Sequence, residues 1–273
     1  MKQKNFRDKN ILLTGASSGI GYALALELAS QGANLILSAR RKDRLQELAQ
    51  KIENRNVKAV AAVVDVTNEN DLKNAIILAH QEVGLIDIAI ANAAIPTHGN
   101  FDRLTPDDYR RLFGTNVFGV LNTSYACLDD LKKTKGTLVI VASVMAYMTT
   151  PGTSAYSMSK FAVRAFAETV QNELADFGIK VVLLHPGFVE SEMRQIDNNG
   201  VRNPNLKDWV PSFLVMSSEK AARKMARAIY RGKREKFIGL NGYVGYWVRQ
   251  YTPWLYFALL NTGNRLMRSS GNN

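Results

Sequence analysis

The feature that most constrains this chain is an alternation. Short apolar runs take turns with longer segments of helical spacing. The runs are Asn10–Thr14, Asn34–Ser38, Ala59–Val64, Ile86–Ala91, Gly136–Ala142 and Lys180–His185. Between them lie helical segments at Gly21–Gln31, Lys42–Asn54, Asp71–Val83, Pro106–Leu131 and Ala155–Phe177. Leu45, Leu48 and Ile52 show the spacing, recurring every three to four residues. Thr105 caps the fourth helix, with Pro106 at its first position. Asp107 and Asp108 in its first turn are helix-start charges, not a catalytic pair. Strands that are apolar throughout are buried on both faces, which implies a parallel sheet covered by helices. With right-handed crossovers, the expected class is α/β, a doubly wound parallel sheet in a Rossmann-like three-layer α/β/α single domain.

Past Pro186 the pattern loosens. Gly187–Pro211 has no clear period and reads as part of a substrate lid over about 187–215. Ser217 then opens a basic helix, Ser218–Gly232, and Phe237–Leu240 reads as a last strand. Residues 1–240 are thus expected to form the Rossmann-like unit, and 241–273 an aromatic, basic extension.

Charge follows this division. The net charge is +11, yet residues 200–273 hold 13 of the 35 basic side chains and only 3 of the 24 acidic ones. A basic segment attracts nucleic acid, anionic lipid or an acidic substrate, or is simply a solvated helix face. Nothing in it resembles an RNA-binding module, so no nucleic-acid partner is expected. Tyr243–Leu260 is rich in aromatics but broken by Arg249, Gln250 and Pro253, a poor membrane span. It reads as packing against the lid or another subunit, or as a peripheral membrane contact. Met1–Asn10 is polar and basic, so no secretory signal is expected and the protein is read as cytoplasmic, with membrane association left open. Cys127 is the single cysteine and reads as a small buried apolar residue. His80, His98 and His185 lack metal-ligand spacing, so no metal is expected; His185 reads as structural.

Chemistry concentrates at strand ends. The first run leads into Thr14-Gly15-Ala16-Ser17-Ser18-Gly19-Ile20-Gly21. Three glycines here let a backbone approach a pyrophosphate, with the following helix start offering N–H groups. The spacing is neither G-x-G-x-x-G nor a P-loop. The second run ends in Ser38-Ala39-Arg40-Arg41, without the acid that binds the adenosine ribose of NAD. Arg40, the residue after the usual acid position, is the better placed of the two arginines to take a 2′-phosphate, which favours NADP over NAD. Asp65-Val66 and Asn92-Ala93-Ala94 close the third and fourth runs on the same edge.

Tyr156 and Lys160 stand four apart, on one helical face. A nearby ammonium lowers a phenol pKa, making a tuned acid/base for alcohol–ketone exchange. Ser143 ends the fifth run and could donate to a carbonyl oxygen. Asn116 lies inside a helix, where an amide diverts backbone hydrogen bonds, kinks the helix and can hold a water.

Taken together, the Thr14–Gly21 turn, Asp65, Asn92, Asn116, Ser143, Tyr156, Lys160 and Pro186-Gly187 resemble the short-chain dehydrogenase/reductase family over about residues 8–240. The resemblance implies an oxidoreductase with Tyr156 as proton donor and Lys160 as pKa modulator and nicotinamide-ribose binder. It implies Ser143 as carbonyl orienter and Asn116 as organiser of a relay water. It implies cofactor contacts from Gly15, Ser17, Ser18, Gly19, Ile20, Gly21, Asp65, Val66, Asn92, Pro186, Gly187, Val189 and Ser191, the last in place of a threonine. It also implies a small carbonyl or alcohol substrate, and a homodimer or homotetramer through the helices near Arg110–Leu131 and Ala155–Phe177. One departure is Ala91-Asn92-Ala93-Ala94, where the family usually has Asn-Asn-Ala-Gly. A catalytically silent dinucleotide-binding sensor or scaffold is the competing expectation.

Overall fold

The computed structural model describes residues 5–53, 57–198, 201 and 212–270. Its elements run β1 (Asn10–Thr14), α1 (Gly19–Ser30), β2 (Asn34–Ala39), α2 (Lys42–Glu53), β3 (Ala59–Val63), α3 (Glu69–Glu82), β4 (Ile88–Ala91), α4 (Pro106–Phe113), α5 (Gly119–Thr134), β5 (Thr137–Val141), α6 (Ser154–Glu173), β6 (Lys180–Pro186), α7 (Ser218–Tyr230), β7 (Glu235–Ile238), α8 (Leu240–Tyr251) and α9 (Pro253–Ser270). Among the described residues these strands form one seven-stranded sheet in the order β3-β2-β1-β4-β5-β6-β7. Every pairing is parallel. The Rossmann-like α/β fold expected from the alternation is the one found.

Successive side chains of a strand point to opposite faces, and the two cores divide accordingly. Leu13, Leu35, Leu37 and Ile90 pack with Leu24, Leu28, Leu45, Leu48 and Ile229 of α1, α2 and α7. Leu12, Ile36 and Ala89 face the other way, onto Leu72, Ile76, Leu131, Val163 and Val170 of α3, α5 and α6. Cys127 belongs to that second core and is fully buried. The sheet reverses its winding between β1 and β4, so the carboxyl ends of these two strands open a crevice at the switch point.

Three expectations need correction. The predicted continuous helix Pro106–Leu131 is interrupted: Gly114–Phe118 forms a π-helical turn between α4 and α5. Its start does follow the sequence: Thr105 Oγ1 accepts from Asp108 N, and Asp108 returns the bond to Thr105 N, a reciprocal cap worth about 1 kcal/mol. The last strand is Glu235–Ile238, not Phe237–Leu240, because Gly239 takes a φ of +127° that ends the strand and starts α8. The lid segment is partly regular. Val189 forms a parallel bridge with Met216, and Glu192–Gln195 makes a short 3-10 turn. Residues 199, 200 and 202–211, where the rest of the expected lid falls, lie outside the described residues.

Candidate active site

β1 delivers the chain to Gly15, whose φ of +69° turns it sharply across the sheet edge. A Cβ at Gly15 would stand 2.8 Å from Ala93 Cα. One at Gly21 would stand 2.1 Å from the Gly15 carbonyl oxygen, so only glycine lets α1 seat itself under the turn. Asn92 staples this arrangement. Its Nδ2 donates to the carbonyls of Thr14 (2.9 Å) and Gly15 (3.4 Å), while Thr14 Oγ1 accepts from Asn92 N and Ala93 N. Ser18, the residue capping α1, makes no side-chain cap bond, and the first turn of the helix holds no acid. The N–H groups at that end therefore face the crevice with their positive dipole and no built-in counter-charge. The cradle fits a dinucleotide pyrophosphate.

The crevice is a cavity of about 760 Å³. It is lined by every cofactor residue expected from the sequence, and by Ser143, Tyr156 and Lys160. Asn116 is the exception: it is fully buried behind the wall. Asp65 reaches the cavity but spends one carboxylate oxygen on Thr67 N and Oγ1, at 2.9 and 2.7 Å, shaping the exit from β3. Val66 packs tightly on α5, where a Cβ at Gly119 would come within 2.5 Å of Val66 Cγ2.

The two arginines after β2 behave differently. Arg40 is exposed at the cavity rim. Arg41, ranked second from sequence, is the built-in one. Its Nε and Nη2 donate to Ser17 Oγ at 3.2 and 3.0 Å, and Nη2 to Ser18 Oγ at 2.7 Å. Its Nη1 donates to Glu192 Oε2 at 3.1 Å, and Arg44 Nη1 to Glu192 Oε1 at 2.9 Å. Burial alone would raise the Glu192 carboxyl, but Arg44 and Arg41 outweigh it and hold it below the usual range. Farther along, Asn198 clips to the His98 backbone, accepting from its N–H (2.9 Å) and donating to its carbonyl (2.7 Å). The segment after β6 thus crosses the crevice with two polar clips. Neither was expected, because the partners are about 100 or more residues apart.

Tyr156 and Lys160 leave the first turns of α6 together. Lys160 is 2% exposed, and burial lowers its pKa to about 8. Its Nζ donates to the Val141 carbonyl at 3.1 Å and lies 5.7 Å from the Tyr156 ring centre. Burial pushes the Tyr156 phenol above its ordinary value, offset in part by a hydrogen bond with Ser143. The expected lowering by Lys160 is therefore corrected: the ammonium is turned to the Val141 carbonyl, and desolvation dominates. Asn116 sits in the π turn, where the widened backbone leaves its amide free to reach sideways. Its Oδ1 accepts from Ile95 N at 2.8 Å, and its Nδ2 donates to Ile95 O at 3.1 Å and Ser159 Oγ at 3.3 Å. It ties the β4 exit to α6 from behind the site.

Residues 9–201 match the family model described as short chain dehydrogenase. The chain belongs to the short-chain dehydrogenase family. This dehydrogenase is 32% identical over 253 residues to 11-beta-hydroxysteroid dehydrogenase A of Sesamum indicum, covering 90% of the chain and 72% of that relative. Among solved structures it resembles a gluconate 5-dehydrogenase from Burkholderia cenocepacia in complex with NADP and tartrate, with a TM-score of 0.76 and 25% identity over 89% and 98% of the two chains. A short chain dehydrogenase from Mycobacterium paratuberculosis bound to NAD gives 0.75 and 25% over 86% and 97%. The chain is accordingly an oxidoreductase of the class acting on CH–OH donors.

The family pattern does not reach the wall that α8 and α9 build in this dehydrogenase. A Cβ at Gly242 would stand 2.3 Å from Val144 Cγ1, and one at Gly245 2.6 Å from Met148 Sδ. Tyr256, 6% exposed, accepts from Thr149 N at 2.9 Å and donates to Thr149 O at 2.5 Å. Tyr246 packs edge-on against Tyr147, with ring centres 4.8 Å apart. The aromatic extension is thus packed on the segment that follows Ser143. Its other side stays exposed: Tyr243, Trp247, Tyr251, Trp254 and Phe257 are each more than two-fifths accessible. Among the described residues no helix is long and apolar enough to cross a membrane.

Proposed function

We propose that this short-chain dehydrogenase is an NADPH-dependent reductase of a hydrophobic ketone or aldehyde, the reverse oxidation running through the same groups. The observation that carries the proposal is convergence: Ser143, Tyr156 and Lys160 line the same cavity as the glycine turn. A bound nicotinamide would supply the hydride. Ser143 orients the carbonyl oxygen by donating to it, and Tyr156 delivers the proton. A phenol held above its ordinary pKa keeps that proton at neutral pH, which suits reduction. Lys160 holds the nicotinamide ribose hydroxyls, and Asn116 fixes the wall behind them and organises the relay water. A silent sensor or scaffold would have no use for this assembly.

NADP is favoured over NAD because β2 ends in Ala39 followed by Arg40 and Arg41, with no acid at the strand end to take the ribose hydroxyls and two guanidinium groups to meet a 2′-phosphate. Gly15, Ser17, Ser18, Gly19, Ile20 and Gly21 would cradle the pyrophosphate. Asp65, Val66 and Asn92 would border the adenosine, and Pro186, Gly187, Val189 and Ser191 the nicotinamide. A homodimer or homotetramer is supported by Phe118, Tyr125, Met158 and Phe161, exposed near and on α5 and α6. A cytoplasmic protein with peripheral lipid contact through the exposed aromatics of α8 and α9 is supported by the basic character of residues 200–273. Binding to anionic but not neutral vesicles tests that contact, and no binding to either rejects it.

The deciding experiment is NADPH oxidation over short, aromatic, steroid and long-chain ketones, with Tyr156→Phe alongside. Turnover that is lost in the variant while NADPH still binds supports the reading. Wild-type turnover in the variant sinks it.

A further inference from the structure

Glu192 stands at a charged crossing that the reaction does not use. Its two carboxylate oxygens divide between two arginines, Oε2 accepting from Arg41 Nη1 and Oε1 from Arg44 Nη1. Arg41 directly follows Arg40 after β2, and its other nitrogens are spent on Ser17 and Ser18 of the glycine turn. Its guanidinium therefore lies between the end of β2 and the turn, where the adenosine ribose of a dinucleotide seated on that turn comes to rest. With Nε and Nη2 committed to serines, Nη1 is the nitrogen left to meet a phosphate, and Glu192 is on it.

We propose that Glu192 is a cofactor-specificity residue: its carboxylate occupies guanidinium N–H groups of Arg41 and Arg44 for which an adenosine 2′-phosphate competes. The idea rests on the NADP reading above. A phosphate dianion and a carboxylate want the same fork of donors, and two anions cannot share it without repulsion. Glu192 thus sets how much a 2′-phosphate gains on arrival. It also couples that gain to the neighbouring segment, since Ser191 lies against Gly19, 3.0 Å from where a Cβ would sit. A dinucleotide without the 2′-phosphate leaves the Glu192 bridge intact.

Equilibrium binding of two probes, 2′,5′-ADP and 5′-ADP, to the wild type and to Glu192→Gln tests this without turnover. The amide keeps the shape and removes the charge. Expected is a Kd for 2′,5′-ADP that falls about two- to fivefold in the variant, the range for loss of a partly exposed charge interaction, with 5′-ADP unchanged. Wild-type protein that binds both nucleotides equally removes the NADP reading and the proposal with it. A wild-type preference for 2′,5′-ADP that the variant leaves unchanged removes the proposal alone. So does weaker 2′,5′-ADP binding in the variant, which would make Glu192 a support for the arginines instead of a competitor.

Discussion

His185 Nδ1 stands 3.0 Å from the carbonyl oxygen of Ser143. A carbonyl only accepts, so Nδ1 carries the proton of this bond. The ring is fully buried, and its Nε2 faces Glu235 Oε1 at 2.8 Å. Tyr147 also donates to Glu235, and its ring packs edge-on against His185. Burial works to raise the Glu235 carboxyl, but His185 and Tyr147 overcome it and keep it below the usual range. Glu235 on β7 thus stands against a histidine on β6 whose Nδ1 holds the backbone of Ser143.

His185→Ala should remove one of the two hydrogen bonds to the Ser143 carbonyl, which Ala146 N also meets at 3.0 Å, and cost about 0.5–1.5 kcal/mol of stability for that bond. It should also lower kcat/KM for ketone reduction several-fold while leaving dinucleotide affinity near wild type, since the ring touches neither the glycine turn nor Arg41. Urea denaturation and steady-state kinetics check both. Loss of nucleotide binding equal to the loss of turnover would contradict a local role.

Lys160 provides a pH test. Unfolded, its ammonium titrates near 10.5; folded, near 8. The folded pKa is lowered, so between these values the unfolded chain binds more protons and stability rises with pH. Below about pH 8 both states are charged and the burial penalty is present in full. Lys160→Met should therefore be more stable than wild type at pH 7, with the gap narrowing from pH 8 to 10.5, and should lose turnover. Melting temperatures of both proteins across that range provide the measurement. Ketone reduction by the wild type should fall as pH rises through about 8.

Tyr256→Phe removes one hydroxyl that serves both polar groups of Thr149. Two part-buried bonds to the backbone of the exposed Thr149 are lost for one atom, a cost of about 0.5–1.5 kcal/mol. The segment after Ser143 should loosen, and KM for the ketone should rise more than kcat falls. Unchanged KM with unchanged stability would show that α9 does not support that wall.

Gly21→Ala would place a Cβ 2.1 Å from the Gly15 oxygen, a collision with backbone that no rotamer relieves. The turn must open or α1 must shift. Dinucleotide affinity should fall at least tenfold, about 1.4 kcal/mol, and titration of NADPH fluorescence would detect it.

Local sequence was enough for much of this protein. The alternation of apolar runs and helical spacing specified a parallel sheet, because strands buried on both faces can tolerate few polar positions. Thr105-Pro106 marked a helix start, and the glycines marked a tight turn, because those roles depend on backbone chemistry within a few residues. The residues now lining the cavity were legible for the same reason: each sits at the end of a strand or the start of a helix. Tertiary structure decided what distance along the chain conceals. Arg41, not Arg40, is tied to the glycine turn, because Ser17, Ser18 and Glu192 converge on it from two other segments. The Tyr156 phenol is raised because burial outweighs its hydrogen bond with Ser143, while the Lys160 ammonium that spacing set beside it is turned to the Val141 carbonyl. The aromatic C-terminal stretch backs the Ser143 segment through Gly242, Gly245 and Tyr256, and packing between elements about 100 residues apart leaves no periodic trace in the sequence.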